Sequence, residues 1–430
     1  MSGTTTHEVA PSAARLTGSL RDIGYDFPTA IADLVDNAVT AGATRVNIFT
    51  QFEPNGSYVL ISDDGHGMSE AELVEALRFG TRRGYQKNEL GRFGLGLKTG
   101  SLSQCRRLTV LSRTSSKIRA IKVMTLDLNR IARTDRWDIT ANESSPAIER
   151  ARGLLRESPG TVVVWEDLDR VLPERYAENG WGRRRLRSLS SKTSEHLAMV
   201  FHRFIAGDVP GRGEVVICVD DDKLRAWDPF APNEPTRTAL PEEIFEIETG
   251  DGSSEVRFRG VVLPARDSFS SIDEFERLSG PLKWNRQQGL YIYRANRLVQ
   301  HGGWSGIRGI DEHTKLARAA IDFDTDLDES FQINVAKMSV DLPPTLRQML
   351  ERPIQELCVL ADDAYRRSAN TAGGRSDAAG KSAKASETAL HDVGIALKAA
   401  LIEDHTLDEF RSALEKLRAR HPGLAKQLDL

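Results

Sequence analysis

Ser57-Tyr-Val-Leu-Ile-Ser-Asp63-Asp-Gly65-His-Gly67-Met68 is an apolar run that stops on two carboxylates and two glycines. The run reads as a strand, and so does Arg45-Val-Asn-Ile-Phe-Thr50 before it. Pro54-Asn55-Gly56 between them is a turn, so the pair predicts a β-hairpin. Upstream, Pro28 to Gly42 predicts a helix, because proline suits a first turn and glycine suits a stop. Its Ile31, Leu34, Val35 and Ala38 share one face. Downstream, Ser69 with Glu72 three residues on predicts a capped helix over 69–80. A glycine-rich loop then runs from Gly91 to Gly100. Strand-like stretches follow at 106–113, 118–127 and 161–169. This order predicts an α+β domain with helices on one face of a mixed β-sheet.

Three short motifs in this region can carry chemistry. In Asp33-Leu-Val-Asp-Asn37 the first and last residues are four apart, so on a helix they share a face. A carboxylate beside an amide can orient a water and supply an oxygen to magnesium; equally, both can be solvated surface groups. Asp63 at a strand end can accept a hydrogen bond from an exocyclic amine such as adenine's, and the glycines after it let backbone approach a flat base. The same residues also suit a plain acidic turn. In Gly91-Arg-Phe-Gly94-Leu95-Gly96-Leu97-Lys98-Thr99-Gly100 the glycine spacing can present backbone amides to phosphates. It is neither a Walker A loop nor a dinucleotide fingerprint.

The combination is far more specific than its parts. An acidic-x-x-x-Asn helix, an Asp-x-Gly-x-Gly strand end, a Gly-x-x-Gly-x-Gly loop and a Gly160-Thr161 pair before a strand occur in order. Over about residues 20–170 the chain resembles the GHKL superfamily of gyrase-type topoisomerases, large heat-shock chaperones, histidine kinases and mismatch-repair ATPases. That resemblance implies a Bergerat-fold ATPase domain that binds ATP with Mg2+. Asp63 would take the adenine amine, with Gly65, Gly67 and Met68 lining the base pocket and Thr161 supporting it. Asn37 would be the magnesium ligand. Gly94, Leu95, Gly96, Leu97 and Lys98 would meet the phosphates. Asp33 would activate water, although the hydrolysing relatives usually carry glutamate there. The missing methylene leaves two outcomes open, slow hydrolysis or a helix placed slightly closer to compensate, and a nucleotide-binding module with little turnover is the alternative reading.

The downstream half implies the branch. Phe331 to Pro343 resembles the element of an S5-like α/β transducer domain that returns a lysine to the γ-phosphate, with Lys337 as that catalytic cation. Lys-Thr-Gly-Ser at 98–101 and Tyr293-Arg294-Ala-Asn296-Arg297-Leu resemble the microrchidia (MORC) ATPases. The chaperone-like ATPases are the neighbouring alternative. Such relatives form ATP-dependent homodimers, with residues 79–93 as the lid. A histidine-kinase-type phosphotransferase is disfavoured, because only His7 precedes the first motif.

The domains expected are a flexible arm (1–18), the ATP-binding domain (19–205), the transducer (206–366), a low-complexity linker (367–387) and a helical tail (388–430). With 430 residues, 40% of them hydrophobic, the chain can build two cores. A net charge of -4 gives no overall attraction for polyanions, yet Arg183-Arg184-Arg185-Leu-Arg187 is a dense basic run. DNA and a protein client are therefore both left open as what the ATP cycle acts on. Cys105, Cys218 and Cys358 lie far apart and match no disulfide framework or zinc spacing. No apolar leader and no run of eighteen apolar residues occurs, so the expected setting is cytoplasmic, without a membrane.

Overall fold

The computed structural model describes residues 7, 11–22, 24–53, 56–80, 96–115, 120–173, 180–249, 252–333 and 340–373. The chain divides into two compact units. The first is Met1–Trp227 together with Ala295–Arg297 and Ile333–Ser339.

In the first unit, β1 (Arg45–Gln51) and β2 (Tyr58–Asp63) form the expected antiparallel hairpin, with Ile48 opposite Ile61. The sheet continues from β2 through β6 (Gly160–Glu166), β3 (Arg107–Arg113) and β4 (Lys122–Asp127) to β5 (Thr140–Ala141). Beyond β1 lie β7 (Val216–Val219), parallel to it, and β8 (Asp222–Lys223). The result is an eight-stranded mixed sheet.

The placement of β7 moves the expected boundary at 206. Val215, Ile217 and Val219 are buried, and β7 needs β1 as its hydrogen-bonding neighbour, so the first unit runs on to Trp227.

Eight described helices pack in this unit. They are α1 (Ala13–Arg21), α2 (Phe27–Thr40), α3 (Glu70–Ala76), α4 (Gly96–Leu102), α5 (Leu128–Thr134), α6 (Pro146–Leu154), α7 (Gly180–Val200) and α8 (His202–Ala206). Helix α2 starts because Asp26 accepts the Thr29 amide and Pro28 sits in the first turn. Its Ile31, Leu34, Val35 and Ala38 share one core with Val46 and Ile48 of β1, Ile61 of β2, Trp165 of β6 and Leu186 and Leu197 of α7. Helix α3 carries the predicted capping box between Ser69 and Glu72.

The opposite sheet face is also covered. Ala147, Ile148 and Ala151 of α6 join Leu60, Leu111, Val162 and Val164 in a second core. The alternation of β2, β3 and β6 thus buries both faces, which an expectation of helices on one face did not include.

The segment expected as a flexible arm contains part of α1. Ser12 caps this helix by accepting the Arg15 amide, and Ala13 and Thr17 are buried. Arg21 at its end forks onto Asp169 at 3.0 and 2.5 Å and donates to the Leu102 carbonyl. This anchor, with the bonds that Ser12 and the Ala14 amide donate to Asp135, orders a stretch that is small and polar in composition.

The second unit holds a six-stranded sheet built on β10 (Glu243–Thr249), β11 (Gly252–Val262), β14 (Ala317–Phe323), β12 (Gly289–Arg294) and β13 (Arg297–His301), in that order, with Arg297 at the start of β13 counted in the first unit. The short strand β9 (Thr238–Ala239) pairs with β11. Strands β12 and β14 run parallel. Buried Arg294 grips Asp328 through two bonds of 2.6 and 2.7 Å. Helices α9 (Ile272–Leu278), α10 (Lys283–Gln287) and α11 (Pro344–Gly373) complete it. Helix α11 passes the expected boundary at 366 into the stretch read as a linker, while residues 374–430 lie outside the described set.

Among the described residues no helix is long and apolar enough to cross a membrane. All three cysteines are buried thiols.

Candidate functional site

Helix α2 is the spine against which the motifs gather. At its C-terminal end, the Ala41 carbonyl accepts the His66 amide at 3.0 Å. Gly65 lies so close that a Cβ there would stand 2.9 Å from the Ala41 side chain. In mid-helix, Gly96 abuts Asp33, and an added Cβ would sit 3.0 Å from Oδ2. One turn further along α4, Gly100 packs over Ala30. The first motif, the second, and the described end of the third are therefore neighbours in space.

The turn after β2 is set by backbone. Asp63 lies opposite Thr161 across β2 and β6, and its carboxylate accepts the amides of Gly65, at 2.9 Å, and Thr161. Burial pushes its pKa up to about 6, against the opposing pull of those two amides. Its neighbour Asp64 goes the other way. Burial would raise it, but hydrogen bonds from Thr44 and Arg45 hold its carboxyl below the usual range. Asp64 thus fastens the start of β1 and leaves Asp63 as the desolvated member of the pair.

Two glycines are required here by conformation as well as space. Gly67 has φ +68°, and a Cβ would drive into the Arg113 carbonyl; Gly160 has φ +146°, and a Cβ would meet the Asp63 carbonyl. The backbones of β2, β3 and β6 approach closely because neither residue has a side chain.

A buried hydroxyl that the motifs do not announce ties these pieces together. Ser112 Oγ accepts the Met68 amide at 2.7 Å and lies 3.0 Å from both the Gly160 carbonyl and Thr161 Oγ1. The sequence offered only a serine in the strand-like run of β3, and the structure buries it fully. Such a group has to be satisfied, so it marks a polar junction.

The first motif splits by burial. Asp33 is 3% exposed and Asp36 0%, while Asn37 is exposed. The alternative of two solvated surface groups therefore fails for Asp33. Its Oδ2 accepts the Tyr25 hydroxyl at 2.9 Å. Burial and the charge of Asp33 raise the Tyr25 pKa well above its ordinary value. Asp36 pairs with Arg297 at 3.2 Å, and both side chains are almost fully buried. Arg297 was singled out in sequence only for its strand motif, with no role attached.

Lys98 is 1% exposed, and its ammonium donates to the Ala76 carbonyl at 2.9 Å, near the end of α3. Burial lowers its pKa to about 8, opposed by Glu75. Leu97 and Met68 are partly buried against the main core. Gly94, Leu95, the lid at 81–93 and Lys337 lie outside the described residues. Among the described residues no three or more His, Cys, Asp or Glu side chains gather as a metal cluster.

Comparison with known proteins bears on the same region. Residues 25–161 match the family described as histidine kinase-, DNA gyrase B- and HSP90-like ATPase. ATPase MORC2 of Homo sapiens is 37% identical over 78 residues, which cover 17% of this chain and 8% of the human protein. ATPase morc-1 of Caenorhabditis elegans is 34% identical over 95 residues, 22% of this chain and 11% of that protein. DNA mismatch repair protein MutL of Acidiphilium cryptum is 26% identical over 246 residues, 55% of this chain and 36% of its own length. The matched stretches are thus a small part of the MORC proteins and about a third of MutL. The gathering of the first motif, the second and the described end of the third on α2 agrees with these similarities: residues 25–161 form a GHKL ATPase domain, similar to that of the MORC ATPases and MutL.

Proposed function

We propose that this chain is an ATP-driven conformational switch that hydrolyses ATP and closes as a homodimer. The observation that carries the reading is the convergence of motifs on α2, which brings Gly65 against Ala41 and Gly96 against Asp33. The adenine amine donates to Asp63, and the base lies over Gly65, Gly67 and Met68 beside Thr161. The phosphates face the amides of Gly94, Leu95, Gly96 and Leu97 and the Lys98 end of the loop. Asp33 takes a proton from water as the water oxygen bonds to the γ-phosphorus. The bond from that phosphorus to the β,γ-bridging oxygen breaks, and ADP and phosphate leave. Lys337 balances charge on the departing phosphates.

Magnesium typically takes one or two protein oxygens besides those of phosphate, so the exposed Asn37 amide suits it as a protein ligand. When bound, the ion neutralises phosphate charge.

The test combines size-exclusion chromatography, with and without a non-hydrolysable ATP analogue, with steady-state phosphate release. A shift to dimer with the analogue and measurable release with ATP are expected. No ATP binding rejects the whole reading. Binding without release leaves the non-hydrolysing interaction module, in which the short Asp33 side chain fails as a base. A large gain in Asp33→Glu then identifies that case.

Nucleic acid is the substrate we assign to the cycle, ahead of a protein client. Arg183, Arg184, Arg185 and Arg187 are all exposed on α7, and one relative is named for DNA mismatch repair. DNA binding that weakens with salt and falls in the Arg183→Ala, Arg184→Ala, Arg185→Ala triple variant is expected. No DNA binding at low salt transfers the role to a protein client.

A further inference from the structure

An aspartate has two equivalent oxygens and rotates about its terminal bond, so a base at this position needs something to fix it. The phenol of Tyr25 fills that need. It donates to Asp33 Oδ2 at 2.9 Å from eight residues upstream, with both side chains buried. Tyr25 is itself braced. Gln104 Nε2 donates to its backbone carbonyl at 2.9 Å, and its hydroxyl also hydrogen-bonds the Thr99 side chain. Gly96 approaches the same carboxylate oxygen, where an added Cβ would stand 3.0 Å from it. Oδ2 therefore meets both the phenol and the glycine.

Gly96 and Thr99 are both on α4, the helix that begins where the glycine loop ends. The phenol thus joins the phosphate-side helix to the carboxylate of α2. Asp33 and Arg297 are the charged groups that act on Tyr25. Burial and the Asp33 carboxylate both keep the phenol protonated, which leaves it a donor throughout the working pH range.

We infer that Tyr25 is a positioning residue for hydrolysis, aiming the Asp33 carboxylate through the hydroxyl-to-Oδ2 hydrogen bond. The inference rests on the reading of Asp33 as the base. It supplies a physical reason why the shorter acid can serve: a fixed carboxylate loses less by lacking a methylene than a swivelling one. Tyr25 does not exchange a proton with the substrate and makes no bond to it.

The experiment uses the full chain, with ATP as the probe, and compares Tyr25→Phe in two backgrounds. In the parent, Tyr25→Phe is expected to lower kcat by about tenfold to a hundredfold, the worth of a hydrogen bond to a charged group. ATP affinity stays as in the parent and the melt stays cooperative, at a lower midpoint because a buried carboxylate loses a donor. In Asp33→Asn, the same change is expected to cost no further activity, because the phenol acts through the carboxylate. A purely structural tyrosine predicts equal losses in both backgrounds, and that result overturns the inference, as does a parent kcat indifferent to the phenol. If Tyr25→Phe does not fold, 3-fluorotyrosine at position 25 replaces it, since it keeps the ring and makes the donor more acidic. A kcat that moves while ATP affinity stays fixed supports the inference, and an unchanged kcat rejects it. A parent that binds ATP without turning it over rejects the hydrolytic reading instead, and is told apart by its silence before any substitution at Tyr25.

Discussion

Asp63 and Asp33 are both carboxylates of the same unit, yet they are held by opposite means. Asp63 is fixed by main chain. The amides of Gly65 and Thr161 meet its carboxylate, and glycines at 67 and 160 let three strands crowd around it. Asp33 is fixed by side chains: its oxygen takes the Tyr25 phenol, and one turn along the helix Asp36 is locked by Arg297. The partners of Asp63 lie two residues away or directly across one strand pairing. Those around Asp33 come from 8 residues away, and for Asp36 from 261. A backbone-held group depends on which residues can be glycine. A side-chain-held group depends on the packing of helices that meet only in the folded chain.

The largest expected effect strikes the side-chain-held region. Arg297→Met takes the guanidinium from a fully buried Asp36 and should lower stability by about 3–5 kcal/mol, because a buried charge that loses its partner keeps its desolvation cost. Chemical denaturation measures it. Adding Asp36→Asn should restore part of the loss, since the stranded charge is then removed. A loss in Arg297→Met alone below about 1 kcal/mol, the size expected of a surface pair, would mean that this network does not hold α2.

A smaller effect probes the backbone-held region through pH. Burial raises the Asp63 pKa to about 6, so the carboxylate is ionised above that value and protonated below it. An adenine amine needs the acceptor form. ATP affinity should therefore be full near pH 8 and decline as pH falls through about 6, where an ordinary aspartate would stay charged. Calorimetric titration of the parent and of Asp63→Asn across that range isolates the contribution, because the phosphates of ATP titrate equally in both. A folded Asp63→Asn that binds ATP as tightly as the parent at pH 8 would show that the base pocket lies elsewhere.

The contrast also explains what could be read in advance. The hairpin of β1 and β2, the proline in the first turn of α2 and the capping box of α3 follow from patterns a few residues long. The glycines at 65, 67, 96 and 160 stood out as motif positions, but the neighbours they make room for, Ala41, Arg113, Asp33 and Asp63, come from distant segments. Ser112 was not, because its value comes from facing Met68 and Thr161 across two strands. Nor was β7: an apolar run such as Val215–Val219 can begin a new sheet or finish an old one, and only its parallel pairing with β1 decides. The α1 segment looked like an unanchored arm because its attachments, Ser12 and the Ala14 amide to Asp135 and Arg21 to Asp169, go to residues distant in sequence.

By itself the sequence determined the α+β class of the first unit and the order of its motifs. Those features arise from periodicity, capping and glycine placement, which act over a few residues. Tertiary structure alone decided that Asp33 is buried against Tyr25, that Asp36 takes Arg297, that Lys98 turns to the Ala76 carbonyl, and that α6 covers the second face of the sheet. Burial and ion pairing are properties of what surrounds a side chain, and those surroundings exist only once distant segments have packed.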